Sequence, residues 1–443
     1  MATTFLSRTN TTGTSTQKGT ISVWIKSSEE PSGNNQTTLA SWGDANNHGA
    51  LLWNGSDKID AFDYQSGYAS QLQTNAVLRD SSAWYHIVYS WDTTLATADD
   101  RQKIYINGVE QTYSTRTNYS QNAATSWNAN SYSKRVGALN SSSYFSGLIS
   151  YTAFVDGLQY DATSFGETNA ATGIWKIKTS PSVTYGTNGF FLKMDTSSPG
   201  SDTSGNNNTF TASGTPTLAQ DNASNNFTTL NPLNAYYTNS TFSNGNTTFA
   251  SGNSSSGTVG NILLNTGKWY WEVKAVSKAG GGDNYAIGIQ GQDATATNQF
   301  PGDQSTGWMF YGGGNYYNNG SGTSAGVTYT AGDIIGVALD CTNNKLYWSK
   351  NGTFILSGNP SAGTGGISIT APASVTLGGY YPSQTNWEAT TSGTFSMNFG
   401  NGFFGVTAVT SSNADAEGHG LFEYAVPTGF YTLNTKNLNT YGG

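Results

Sequence analysis

Gly267-Lys-Trp-Tyr-Trp-Glu-Val273 decides how this chain is read. Trp269, Trp271 and Val273 fall on one face of an extended segment, because side chains in a strand repeat every second residue. Tyr285-Ala-Ile-Gly-Ile289 follows, then Gly332-Asp-Ile-Ile-Gly-Val-Ala-Leu-Asp340. Lys345-Leu-Tyr-Trp-Ser-Lys350 runs into Asn351-Gly352, a pair that tolerates positive φ and so marks a hairpin turn. Tyr380-Tyr-Pro382 and Met397-Asn-Phe-Gly400 complete a set of short strands joined by turns.

The same grammar extends toward the N-terminus. Ile21, Val23 and Ile25 alternate with Ser22, Trp24 and Lys26. Tyr85, Ile87, Tyr89 and Trp91 alternate with His86, Val88 and Ser90. Asn107-Gly108 interrupts the apolar run that begins at Lys103, a second hairpin signal. Phe145 to Val155 reads as a strand pair or one long strand, and Phe190 to Asp195 as a strand closing this first sandwich. Ser201 to Asn226, rich in Ser, Asn, Gly and Thr, reads as surface loop or connector.

Composition agrees. Of 443 residues only 10% are charged, while 13% are aromatic, and there are 54 Gly. Helix-favouring composition is absent; β-branched, aromatic and turn residues dominate, which predicts many strands and almost no helix. The 12 Trp, 26 Tyr and 20 Phe are enough to bury a large apolar area, which argues against disorder. A net charge of −8 with 19 Lys plus Arg argues against nucleic acid as a partner. The single cysteine, Cys341, excludes an intramolecular disulfide. Met1 to Asn10 shows no signal-type apolar stretch, and no apolar run is long enough for a membrane-inserted helix. Assembly into a particle released by lysis is the expected route to an extracellular task.

The ordered set Ile21-Ser-Val-Trp24, Trp84-Tyr-His-Ile-Val88, Ile104-Tyr-Ile-Asn-Gly108 and Phe145-Ser-Gly147 resembles the laminin-G/pentraxin-like branch of the concanavalin A-like sandwiches. The set from Gly267 to Gly400 resembles a SPRY domain. The expected fold is therefore all-β: two antiparallel β-sandwiches, a concanavalin A-like jelly roll over 1–200 and a SPRY-like sandwich over 236–443. A connector spans 201–235. Asp156-Gly157, Ser164-Phe-Gly-Glu167, Tyr185-Gly-Thr-Asn-Gly-Phe190 and Asn231-Pro-Leu233, in that order, resemble tandem structural proteins of marine bacteriophages. That resemblance implies a virion location, at the particle surface.

Sandwich glycoside hydrolases of this type carry Glu-x-Asp-x-x-Glu or a form one residue shorter, and neither spacing occurs. Glu29-Glu30 and Asp99-Asp100 read as solvated turns. No Gly-x-Ser-x-Gly elbow occurs, and His86 lies inside a strand pattern, where a structural role is expected. Asn-x-Ser/Thr triplets such as Asn54-Gly-Ser56 are what such a composition produces by chance. The laminin-G/pentraxin resemblance implies rim loops that bind Ca2+; Asp92, Asp99, Asp100 and Asp156 are the candidate ligands, with plain turn chemistry as the alternative. The SPRY resemblance implies binding through loops at one end. Tyr316, Tyr317 and Trp387 are the candidate ligand-binding residues there, and Trp308 and Phe310 are expected in the core.

The expected function is a non-enzymatic virion protein, such as a fibre, tail or capsid-surface appendage, binding a host surface glycan or receptor without a required cofactor. A purely structural decoration or connector protein is the alternative, and a glycan hydrolase the least supported reading. Other virion proteins are expected partners, and a homo-oligomer, trimeric in the manner of fibres, fits the same picture.

Overall fold

The computed structural model describes residues 4–28, 37–140, 142–170, 172–195, 198–236, 240–252, 255–278, 285–292, 299–386 and 392–442. The chain divides into two units, Met1–Leu218 with Asn222–Ser224, and Ala219–Asp221 with Asn225–Gly443. Both are built almost wholly of antiparallel strands, two β-sandwiches in tandem.

In the first unit, Ile21, Val23 and Ile25 share a buried cluster with Ile87, Tyr89 and Trp91, as period two requires. One sheet runs, in spatial order, Phe190–Leu192, Gly147–Asp156, Lys18–Ser27, Tyr85–Asp92, Gln102–Ile106 and Val109–Glu110. Residues 147–156 form one strand, bent by a bulge where Tyr151 takes a φ of 47°. The other sheet runs Tyr113–Thr117, Tyr68–Thr74, Ile59–Gln65, Asn47–Trp53, Thr37–Gly43, Ser133–Val136, Phe5–Thr9 and Thr211–Ser213. Trp42, Leu51 and Ile59 from this sheet join Ile21, Ile87 and Phe154 from the first in one core.

The polar partners in the first sheet's alternation are buried too. Trp24 and Val88 pack with Phe165, Trp175 and Tyr185 of the chain that follows Asp156, so that face is covered rather than wet. Asp156 anchors the N-terminal arm: its carboxylate accepts from the N–H groups of Thr14 (2.8 Å), Ser15 (3.0 Å) and Asn188 (2.9 Å) and from the Asn128 amide (2.5 Å).

The second unit pairs a seven-stranded sheet with a nine-stranded one. The first runs Leu230–Tyr236, Ser256–Gly260, Tyr381–Asn386, Tyr285–Gln290, Gly307–Tyr311, Asn315–Asn318 and Ser321–Ser324. The second is centred on Lys268–Lys278, flanked by Gly393–Asn398 and Ile334–Asp340, with Lys345–Lys350 beyond. Trp269, Trp271 and Val273 enter its core with Trp308, Phe310 and Trp348. Glu272, on the opposite face, accepts from the N–H groups of Glu423 (3.0 Å) and Tyr424 (2.8 Å), fastening the C-terminal segment across the sheet.

Two expectations are refined. The stretch 201–235 is divided: Thr211–Ser213 pairs with Phe5–Thr9, whereas Leu230–Tyr236 edges the second unit's sheet. The composition predicted almost no helix, and the described residues contain one α-helix, Thr435–Tyr441. It is short, and Asn434 caps it by accepting from the Asn437 N–H at 3.0 Å.

Candidate functional site

Antiparallel register decides which side chains meet on the outer face of the eight-stranded sheet. One row across it reads Ser133, Gly43, His48, Tyr64, Tyr68. The neighbouring row reads Arg135, Ser41, Ala50, Phe62, Gln71. Directly paired side chains share a face and stand about 5 Å apart; Ser41, Ala50 and Phe62 of the second row are buried, so the accessible part of this face is the first row with Arg135 and Gln71 beside it. Its inward counterpart, Lys134, Trp42, Gly49, Asp63, Ser70, faces the core.

Aromatic rings fill one end of this surface. His48 lies 5.8 Å from Tyr64 and 5.7 Å from Phe62 between ring centroids. Tyr68 meets Tyr64 at 5.6 Å and Phe62 at 5.4 Å, edge to face in both cases. Phe62 is the buried foot of the group, while Tyr68 is 56% exposed. Burial pushes the His48 imidazole below its usual range, so it is neutral at pH 7. The result is an uncharged aromatic ridge with phenol hydroxyls at its rim.

A cleft of about 480 Å³ adjoins the ridge, lined by Gly43, Asp44, Tyr132, Arg135 and Asn140 among others. Gly43 takes φ +136°, and a Cβ there would lie 2.2 Å from the Asn47 carbonyl, so the tight turn needs glycine. Asp44 caps that turn, accepting from the N–H groups of Asn46 (2.8 Å) and Asn47 (2.9 Å). The Asn140 amide donates to the Asp44 carbonyl at 3.2 Å. Leu139, next in chain, and Tyr64 both pack against the buried cluster of Ala50, Leu52 and Phe62, which joins cleft and ridge.

The sequence reading passed over Asn47–Thr74. Its signal was Phe62, Tyr64 and Tyr68 at even positions, but period two alone does not say which face is outward. The neighbouring strands decide that.

The residues singled out from sequence lie elsewhere. Tyr316 is half-buried with its ring 5.9 Å from Trp348, and Tyr317 packs on Tyr311 at 4.6 Å. Both pair with the strand holding Phe310 and Met309, and Trp308 and Phe310 are buried. Trp387 lies outside the described residues.

The four aspartates do not fit a calcium site. Both oxygens of Asp156 are taken by N–H donors where a cation would have to approach. Asp92 pairs with Lys18 at 2.9 Å and accepts twice from Thr94; burial raises its carboxyl, and these bonds outweigh it. Asp99 pairs with Arg116 and Asn118, and Asp100 with Lys103. Among the described residues no three His, Cys, Asp or Glu side chains gather to hold a metal.

Ser22 Oγ lies 2.8 Å from His86 Nε2, and the Trp175 indole N–H donates to His86 Nδ1 at 3.0 Å. An indole N–H only donates, so Nδ1 holds the lone pair and Nε2 the proton. The nitrogen facing Ser22 is thus the protonated one and has no lone pair to take the serine proton. Burial holds His86 down to about 3, and its ring stacks between Trp24 at 4.6 Å and Trp175 at 6.0 Å. This is a structural pin.

Comparisons with known proteins agree with the two sandwiches. Residues 3–159 match the family model for the concanavalin A-like lectin/glucanases superfamily, and residues 268–362 match the SPRY domain. The chain thus carries a laminin-G-like domain of the concanavalin A class followed by a SPRY domain. Ran-binding protein 9 of Danio rerio is 36% identical over 89 residues, 19% of this chain and 14% of that protein. Ran-binding protein 9 of Homo sapiens is 37% identical over 89 residues, 19% of this chain and 12% of its own length. The chain therefore spans only a small part of the curated relatives it matches. Among solved structures, the SPRY domain of human HERC1 aligns with 96% of its length and 38% of this chain, at 18% identity and a TM-score of 0.31.

Proposed function

We propose that this chain is a non-enzymatic binding protein of a bacteriophage particle surface, and that its first sandwich takes a host-cell glycan. The carrying observation is the single outer face on which the His48–Phe62–Tyr64–Tyr68 ridge runs into the polar cleft at Asp44, Arg135 and Asn140. Aromatic faces stack on the C–H faces of sugar rings, and nearby amide, carboxylate and guanidinium groups read the hydroxyls. The site is shallow, so one copy binds weakly, and repetition on a particle supplies the avidity. The particle setting is supported by the tandem order from Asp156-Gly157 to Asn231-Pro-Leu233.

The second unit has its own reading, a protein partner such as another component of the particle. Its support is the SPRY match to proteins named for binding Ran, which covers that unit alone.

The test is binding of labelled, multivalent protein to intact host cells and to their isolated surface polysaccharide. Saturable binding that free polysaccharide competes away is expected. The double variant Tyr64→Ala, Tyr68→Ala should lose at least about tenfold in affinity, roughly 1.4 kcal/mol. A chelator should leave binding unchanged, because the aspartates expected to hold calcium are occupied. Absence of binding by the multivalent wild type overturns the proposal.

A further inference from the structure

Among the described residues Arg8 and Arg135 are arginines of the first unit without a carboxylate at ion-pair distance, and of the two it is Arg135 that lines the cleft. Arg101 spends all three nitrogens on carbonyls, those of Leu95, Tyr119 and Ala96. Lys18, Arg79, Lys103 and Arg116 each sit against a carboxylate. Arg135 uses only Nη1, which donates to the Gly43 carbonyl at 3.3 Å and to Asn140 Oδ1 at 3.2 Å. Among the described residues no carboxylate lies within ion-pair distance of it. Burial pushes its guanidinium below the usual value, and no neighbouring acid raises it again.

Those two bonds also fix direction. They hold the guanidinium at the cleft wall and leave Nε and Nη2 without an acceptor among the described residues. Nε–H and one Nη2–H project in parallel, at the spacing of the two oxygens of a carboxylate. A half-desolvated cation with that pair left over is a receptor for a planar oxyanion. Asp44 lines the same cleft as a carboxylate, which two backbone N–H groups of its own turn keep ionised and tied to that turn through one oxygen.

Resting on the glycan reading above, we infer that the cleft selects a carboxylate-bearing sugar, a uronate, whose carboxylate lies side-on against Nε and Nη2 of Arg135. The pyranose rings that follow on one side run past His48 onto the ridge of Tyr64 and Tyr68. Row spacing supports this length: from Gly43 to Tyr68 the surface crosses strands spaced about 4.8 Å apart, the scale of two to three sugar rings.

The experiment measures binding of the full chain to immobilised oligoalginate, oligogalacturonate and hyaluronan oligosaccharides. Neutral laminarin and mannan, and sulfated carrageenan, serve as contrasts. Each uronate probe is also presented after its carboxylates have been reduced to primary alcohols. The expected result is binding to at least one uronate, a loss of tenfold or more on carboxyl reduction, and weakening as salt rises. Arg135→Met should remove the preference for the acid form, and Arg135→Lys should keep part of it, since charge remains but the fork is lost. Because Arg135 also braces Gly43 and Asn140, the salt dependence and carboxyl reduction are measured on the wild type, where folding is not at issue. Equal binding of neutral or sulfated probes, or unchanged affinity after carboxyl reduction, overturns the inference and leaves the glycan reading standing. Failure to bind any saccharide overturns both.

Discussion

The two sandwiches use one hairpin device but hold different titratable side chains in their interiors. Asn107-Gly108 and Asn351-Gly352 turn with nearly the same angles, φ 47° and 85° against 49° and 82°. In each, the asparagine carboxamide accepts an N–H from the adjoining strand, His86 in one and Ile334 in the other, both at 2.8 Å. The interiors diverge. The first unit buries a base, Lys134, whose amine sits 3.6 Å over the Phe154 ring and donates to the Asn188 carbonyl at 3.3 Å. The second buries an acid, Glu272, held by two backbone N–H groups and the Tyr270 hydroxyl at 3.1 Å. Turn geometry is a local property and repeats; a buried charge answers to its own surroundings and does not.

The largest way to break the comparison is Glu272→Ala. It strands the N–H groups of Glu423 and Tyr424, and each buried donor left without a partner costs about 1–3 kcal/mol. Calorimetry should show one transition falling while the other stays. A loss below about 1 kcal/mol would mean that the C-terminal segment does not depend on this carboxylate.

Acidity should move the two units in opposite directions. Burial pushes the Glu272 carboxyl up to about 7, against backbone and side-chain bonds that lower it. The folded state then binds this proton more tightly than the unfolded chain. The resulting stability is complete below the ordinary glutamate value of about 4.3 and is lost as pH rises through 7, by roughly 3–4 kcal/mol. Burial lowers the Lys134 ammonium far below its usual value, with Asp156 opposing. Its stability is present above the unfolded lysine value and is lost as pH falls. His86, held down to about 3, adds to that loss below the ordinary histidine value of about 6.5, while raised Asp60 and Asp63 oppose it. Moving from pH 8 to 6 should therefore raise the second unit's transition and lower the first unit's; parallel movement of both would refute the contrast.

Lys134→Met sharpens the same point. Replacing a buried charge by an apolar chain of similar length is neutral or stabilising, here by about 1 kcal/mol or more. It should also flatten the first unit's pH dependence. Destabilisation by more than about 1 kcal/mol would show that the contact with Phe154 outweighs desolvation.

The smallest effects test the likeness. Asn107→Ala and Asn351→Ala each lose a carboxamide bond and the residue suited to positive φ, so each should cost about 1–2 kcal/mol in its own unit. Costs differing by more than about 1 kcal/mol would show that the hairpins are alike in shape only.

The fold was legible because its signals are local. Gly267 to Val273, Ile21 to Lys26 and both Asn-Gly pairs carry period and turn chemistry in adjacent residues. The site was less legible. Asp156 follows a strand and looks like a rim ligand, yet its oxygens are filled by residues up to 142 positions away. Tyr316 and Tyr317 follow glycines and look exposed, yet pack against Trp348 and Tyr311.

What the sequence determined by itself is the strand content, the two hairpins, and the tandem order of two sandwiches, since alternation and positive-φ residues act over a few bonds. What tertiary structure decided is which alternate face stays outside, which charges lose their water, and that Arg135 brings an unspent pair of donors to the cleft. Phe62, Tyr64, Tyr68 and Arg135 come together only through pairing between strands far apart in the chain. Register across four strand pairs is a property of the assembled sheet, and no window along the chain contains it.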